Sequence, residues 1–281
     1  MKVKTVLLLG TLTGLILAAG YYIGGQNGLW TALVIAAVMN FGSYWFSDKI
    51  VLAMYHAKLV SENEQPLLHG VVAQLAQKMN IPKPRVYLVN LPIPNAFATG
   101  RNPKHAAIAV TPALLEILDN EELEGVLAHE LSHVKNRDIL ISSIAATLAG
   151  AISMLAQMAY YAAIFSGRRD NRNGGSPFGM LALVILTPLI ASLLHLAISR
   201  SREFLADETG VKISGKPSAL ARALEKIHAA SLRRPLIAEP RYEATAHLFI
   251  ANPFRPSLLM KLFSTHPPIE ERVKRLNEIK V

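Results

Sequence analysis

Leu127-Ala128-His129-Glu130-Leu131-Ser132-His133 is the stretch on which the reading of this chain turns. Each residue advances about 100° around a helix, so histidines four apart lie on one face. Both imidazoles can then reach one ion at Zn–N distances of about 2.0–2.1 Å. Glu130 points beside that ion rather than at it, where it can take a proton from water activated there.

This H-E-x-x-H spacing is the one metallopeptidases use, and its surroundings favour a helix. Asp119-Asn120-Glu121-Glu122 reads as a capping box, with acids in the first turn opposing the positive end of the helix dipole. Leu123, Val126, Leu127 and Leu131 form an apolar stripe, so the helix should be buried with its histidines facing inward. Two ordinary core histidines are the plainer alternative, but that account leaves the carboxylate between them unexplained.

Composition sets the medium. Of 281 residues, 51% are hydrophobic and 17% charged, and the mean hydropathy is +0.30, a balance that leans toward a membrane protein. The net charge of +9 would suggest nucleic acid in a soluble protein. Here the lysines and arginines flank apolar segments or lie on helix faces, with no basic run interleaved with aromatics. A lipid bilayer with anionic lipid is the expected partner, and nucleic acid is not. With no cysteine in the chain, disulfides and thiolate ligands are excluded, and a metal must be held by histidine and carboxylate.

Four uncharged stretches are expected to be transmembrane helices, at about 5–25, 29–47, 139–165 and 178–199. The first could also be a secretory leader, with Ala18-Ala19-Gly20 as a small-residue cleavage region. The second stretch follows it after a short Gly/Asn turn and carries Trp30, Tyr44 and Trp45 at its edges, which favours a membrane hairpin. His195 in the fourth stretch is read as an interfacial or interhelical residue.

Between and after these hairpins lie two polar blocks, 48–138 and 200–281. The first should hold a helix from Glu64-Gln65-Pro66 to Met79, with Leu67, Leu68, Val71, Leu75 and Met79 as its buried stripe. Strands follow at 85–89, 95–100 and 104–110, then a helix capped by Thr111-Pro112, then the histidine helix. The second block should hold three helices, at Ser201–Ser214, around Ala219–Ile227, and from Pro267-Pro268 onward. The expected fold is α+β and mainly helical: a multi-pass membrane protein with four transmembrane helices and a catalytic domain carrying a small β-sheet. The domains are a hairpin at 1–47, a first catalytic part at 48–138, a second hairpin at 139–199 and a second catalytic part at 200–281. Four spans put both polar blocks on one side. Lys2, Lys4, Lys49, Lys58, Lys135, Arg137, Arg200 and Arg202 flank the spans there, against Arg168, Arg169 and Arg172 opposite, so the catalytic part should face the cytoplasm.

A third ligand is sought in Ser201-Arg202-Glu203-Phe204-Leu205-Ala206-Asp207. There Glu203 could bind the ion while Asp207, four residues on, fixes a ligand histidine through its other ring nitrogen. H-E-x-x-H, then Glu-x-x-x-Asp some seventy residues later, with two apolar spans between, resembles the HtpX membrane zinc metalloproteases. These are gluzincins related to the CAAX-prenyl endopeptidases. Asn95-Ala96-Phe97-Ala98-Thr99-Gly100, Asn136-Arg137-Asp138 and Thr265-His266-Pro267-Pro268 match that family in order.

The resemblance implies one Zn2+ on His129, His133 and Glu203, Glu130 as general base and Asp207 as the acid behind a ligand. It implies His266 near the substrate carbonyl, and Asn95 and Arg272 along the substrate cleft. Asp138 is read instead as a helix-end partner for Arg137 or a nearby amide, and His228 and His247 as surface or core histidines. The implied activity is endoproteolysis of misfolded or damaged membrane proteins in the bacterial inner membrane, as protein quality control under stress. Polypeptide would add as a strand at Asn95–Gly100 or Lys104–Val110. The alternative is a non-enzymatic membrane adaptor with a structural metal.

Overall fold

In the computed structural model, residues 2–150, 200–237, 239, 242, 245–254 and 267–279 are described. The chain opens with a long helical segment, α1 (Lys2–Met54), interrupted at Gly24 and Gly25. Gly25 has φ +56°, a left-handed conformation that glycine adopts without a Cβ clash. The break thus falls just before the Gly/Asn turn expected at 26–28. It separates two candidate membrane spans, Thr5–Tyr22 and Gly24–Met54. Asn40 donates from Nδ2 to Thr13 Oγ1 at 2.8 Å across the hairpin. Leu8 and Leu12 pack against Ile141, Ile144 and Leu148 of a later apolar helix. Most of both spans is exposed, with Val6, Val34, Val38 and Phe41 each more than 60% accessible. A soluble core helix would bury that surface; a bilayer covers it.

After α1 come β1 (Lys58–Leu59), α2 (Pro66–Met79), β2 (Arg85–Leu88), β3 (Ala96–Gly100) and β4 (Ala106–Val110). The sheet order is β1-β2-β4-β3, with β2 and β4 parallel and the other pairs antiparallel. β4 is enclosed on both sides and buried throughout. The 104–110 segment therefore has no free edge for a substrate, whereas β3 is an edge strand. Residues alternate between faces: Ala96, Ala98, Ile108 and Val110 join the main helical core. Phe97, Ala107 and Ala109 meet Val51 and Leu52 of α1, Tyr55 just beyond it, and Phe249. In α2 the buried stripe runs Leu68, Val72, Leu75, Ala76 and Met79; Leu67, expected inside, is exposed.

Two helices then lead to the site. α3 (Pro112–Ile117) is capped by Thr111, whose side chain accepts from the Leu114 amide. α4 (Asn120–Lys135) starts with the expected capping box, Asp119 and Glu122 each accepting from the other's backbone. Arg137, at φ +60°, turns the chain sharply into α5, described over Ile139–Gly150. The remainder of the third stretch and all of the fourth, including His195, lie outside the described residues. α6 (Arg200–Ser214), α7 (Pro217–Arg233) and α8 (Ile269–Glu278) complete the chain, with α6 and α7 both packed on α4. The described fold is mainly helical with one small mixed sheet.

Candidate active site

α4 and α6 meet closely because Gly210 has no side chain. A Cβ there would stand 3.0 Å from the His129 amide nitrogen. That approach, with Glu203, Ala206, Asp207 and Gly210 on one face of α6, carries two carboxylates to the histidines. His129 Nε2 and His133 Nε2 are 3.3 Å apart. Glu203 Oε2 lies 3.6 Å from the first and Oε1 3.5 Å from the second. A tetrahedron with bonds of about 2.0–2.1 Å has edges of about 3.3–3.4 Å, so the three donors fit a metal ion. His129, His133 and Glu203 are also the one such cluster among the described residues.

Behind His129 the packing is tight. Its Nδ1 is 2.8 Å from Asp207 Oδ1. Arg272 of α8 grips the same carboxylate twice, Nε to Oδ2 at 2.9 Å and Nη2 to Oδ1 at 2.6 Å. Arg272 Nη2 also comes within 3.3 Å of His129 Nδ1. Because that nitrogen donates to Asp207, this approach is a contact at a shared acceptor and not a further bond. Burial and the facing Arg272 push the imidazole's pKa down, but Asp207 and Glu203 outweigh them and raise it to about 9. For Asp207 burial works upward, while Arg272 and His129 pull its pKa to about 2. Burial opposes the Arg272 charge, which Asp207 more than restores.

Behind His133 the arrangement is looser. Asp138 Oδ2 is 3.5 Å from His133 Nδ1, and Arg202 Nη1 is 3.6 Å from Asp138 Oδ1. The turn at Arg137 brings Asp138 back, its amide donating to the His133 carbonyl at 2.9 Å. Asp138 was expected to pair with Arg137 or an amide. It lies instead beside His133 and Arg202, and sequence offered no sign of this because it depends on a left-handed arginine.

Glu130 lies beside the donors, with Oε2 accepting from the Ala98 amide of β3 at 3.1 Å. Further along the same edge, the Gly100 amide donates to Ser143 Oγ at 3.0 Å, so α5 closes that end. A cleft is lined by the two histidines, Glu130, Glu203, Arg272, Phe97 and Ala98. His247 also lines it, its Nε2 3.1 Å from the Ser142 carbonyl. Read from sequence as a core or surface histidine, it reaches the cleft on a 3-10 turn, Ala246–Leu248, which carries no periodic signal.

Asn95 stands apart from the cleft lining. Its Nδ2 donates to the Leu248 carbonyl at 3.1 Å and its Oδ1 accepts from the Ile250 amide at 3.0 Å. The buried carboxamide ties β3 to the loop bearing His247. Arg272 is fully buried with Nε and Nη2 engaged by Asp207, and its Nη1 has no hydrogen-bond partner among the described residues. His266 lies outside the described residues.

The model of peptidase family M48 matches residues 62–280. A "Protease HtpX homolog" of Pyrococcus furiosus is 56% identical over 277 residues, spanning 99% of this chain and 95% of its own. One from Sulfurihydrogenibium sp. is 56% identical over 284 residues, and one from Syntrophobacter fumaroxidans 54% over 281. Among solved structures, the crystal structure of S. mikatae Ste24p superposes with a TM-score of 0.52 at 20% identity. It covers 98% of this chain and 65% of that longer one, a likeness of fold alone. On the family model and these full-length relatives, the chain belongs to peptidase family M48 and is an HtpX-type metalloendopeptidase.

Proposed function

We propose that the chain is a multi-pass zinc endopeptidase of the inner membrane that cleaves misfolded or damaged membrane proteins. The observation that carries this reading is the triangle of donors 3.3–3.6 Å apart with Glu130 beside it. His129, His133 and Glu203 would hold the ion. Bound there, zinc would supply Lewis acidity, lowering the pKa of water at its open position to about 7 and polarising a peptide carbonyl. Glu130 takes the proton of the attacking water and hands it to the leaving amine. Asp207, fixed by Arg272, keeps His129 Nδ1 protonated and Nε2 aimed at the ion. Arg272 Nη1 and His266 donate to the carbonyl oxygen as negative charge develops on it. Asn95 acts at one remove, by holding the loop that forms one wall of the cleft.

Substrate in extended form adds to the outer edge of β3, where the Ala98 amide and Glu130 face each other. Main-chain pairing gives little sequence preference, which suits the disposal of exposed chain in a stress response. Four spans divide the chain into hairpins at 1–47 and 139–199 and catalytic parts at 48–138 and 200–281. The excess of lysine and arginine around the catalytic parts supports a cytoplasmic site. The structural-metal adaptor is disfavoured by membership in a peptidase family and by a three-donor set, since structural zinc is normally closed by four protein ligands.

Glu130→Gln tests the assignment. Zinc content should stay at one ion per chain while cleavage of an unfolded polypeptide falls at least about a hundredfold. Turnover at the wild-type rate would overturn the role of Glu130.

A further inference from the structure

The second candidate span, Gly24–Met54, is 31 residues long, about 46 Å at 1.5 Å per residue. Hydrocarbon is about 30 Å thick, so the last third of this helix stands clear of it on the side of the sheet. The sequence marks the crossing. Phe41, Tyr44, Trp45 and Phe46 are exposed, with Trp45 against the rings of Phe41 and Tyr44, and Asp48 and Lys49 follow at once. Exposed aromatic residues of this kind collect at headgroup depth.

The turn between β3 and β4 lies on this girdle. The Arg101 guanidinium sits over the Trp45 ring, 4.8 Å from its centroid, and donates from Nη1 to the Trp45 carbonyl at 3.1 Å. Lys49 Nζ lies 5.6 Å from the Phe46 centroid. With Lys104 and His105 these residues line a hollow. Asp48 is the one carboxylate lining it, and Arg85 engages it at 2.7 Å. Lys49, Arg101 and Lys104 have no ion-pair partner among the described residues. Three uncompensated cations therefore surround a hollow floored by aromatic rings, at the depth where phosphates lie.

We propose that this hollow seats the phosphate headgroup of an anionic phospholipid, its acyl chains running down the exposed Phe41 face of the span. The inference rests on the reading of α1 as a pair of membrane spans. Arg101 is already oriented by Trp45, so it loses little freedom when it binds phosphate. Its place one residue beyond β3 links an occupied seat to the strand whose Ala98 amide meets Glu130.

The test uses full-length protein in vesicles of phosphatidylcholine, with and without phosphatidylglycerol, and reads the lipid retained on extraction by native mass spectrometry. Each cation near an anionic surface contributes about fivefold in affinity. Lys104→Gln, at an exposed side chain, should weaken phosphatidylglycerol retention about fivefold, and Arg101→Gln/Lys104→Gln about 25-fold, with phosphatidylcholine retention unchanged. Wild-type phosphatidylglycerol retention by both variants overturns the proposal, as does displacement of the lipid by inorganic phosphate. Wild-type protein that fails to float with pure phosphatidylcholine vesicles would sink the span reading itself. Flotation without preference for phosphatidylglycerol would sink the headgroup seat alone.

Discussion

His129 and His133 sit on the same face of α4 and aim Nε2 at the same point, yet what stands behind them differs. Asp207 meets the first at 2.8 Å and is clamped by two bonds from Arg272, with all three side chains at most 5% exposed. Asp138 meets the second at 3.5 Å, and its own arginine is 3.6 Å away, with the histidine and the arginine each about 15% exposed. The first acid comes from α6 and its clamp from α8, so that histidine is positioned by the packing of three helices. The second acid comes from a turn five residues beyond its histidine, so its placement is largely local. One histidine is thus built into the core and the other is left with play.

The largest effect should come from breaking the tight side. In Asp207→Asn the buried Arg272 loses its counter-charge, and removal of one partner from a buried pair costs about 3–5 kcal/mol. His129 also loses its charged acceptor, a carboxamide oxygen accepting more weakly than a carboxylate, and metal affinity should fall about 10- to 100-fold. Thermal unfolding and zinc titration of the purified variant check both. A variant as stable as wild type that binds zinc normally would show that the two sides are equivalent after all.

Next in size is a pH effect peculiar to His129. Its pKa is raised to about 9 in the metal-free protein, so the imidazolium's stabilising contribution is complete below about 6.5 and is lost as pH rises through 9. Asp207 runs the other way: with its pKa at about 2, its contribution is complete above about 4 and is lost as pH falls toward 2. A ligand must be deprotonated, so metal uptake at pH 7–8 should expel a proton from His129. Apparent affinity should then rise about tenfold per pH unit up to about 9. Calorimetric titration in buffers of different ionisation enthalpy counts that proton, and Asp207→Asn should abolish its release.

The same asymmetry explains what sequence could and could not say. Part of the tight side was legible because it is helical: His129 and His133, and then Glu203 and Asp207, each repeat at four residues, and a helix turns that spacing into a shared face; Arg272, expected along the substrate cleft, gave no sign of its grip on Asp207. The capping box at Asp119 fixed where α4 begins. Asp138 and His247 were not legible, since one depends on Arg137 at φ +60° and the other on a 3-10 turn held by Asn95. β1, two residues long, is formed by its pairing with β2 and has no periodicity of its own. The outward run of α1 to Met54 was also missed, because charges at Asp48 and Lys49 end an apolar stretch without ending a helix.

The smallest expected effect is on the loose side, and it carries the comparison furthest. Asp138→Asn should weaken zinc binding by about tenfold or less. Asp138 Oδ2 makes no hydrogen bond among the described residues, and the carboxylate's separations from His133 and Arg202, 3.5 and 3.6 Å, are too long for hydrogen bonds. A pair of double-mutant cycles measures the difference. Asp207→Asn with Arg272→Gln should show a stability coupling of about 1.5–3 kcal/mol, whereas Asp138→Asn with Arg202→Gln should couple by about 0.5 kcal/mol or less. If the two couplings were equal, distance and exposure would not be what separates the two histidines. If the second is near zero as expected, Asp138 orients His133 without supporting the fold, and substitutions there change the chemistry while leaving stability nearly untouched.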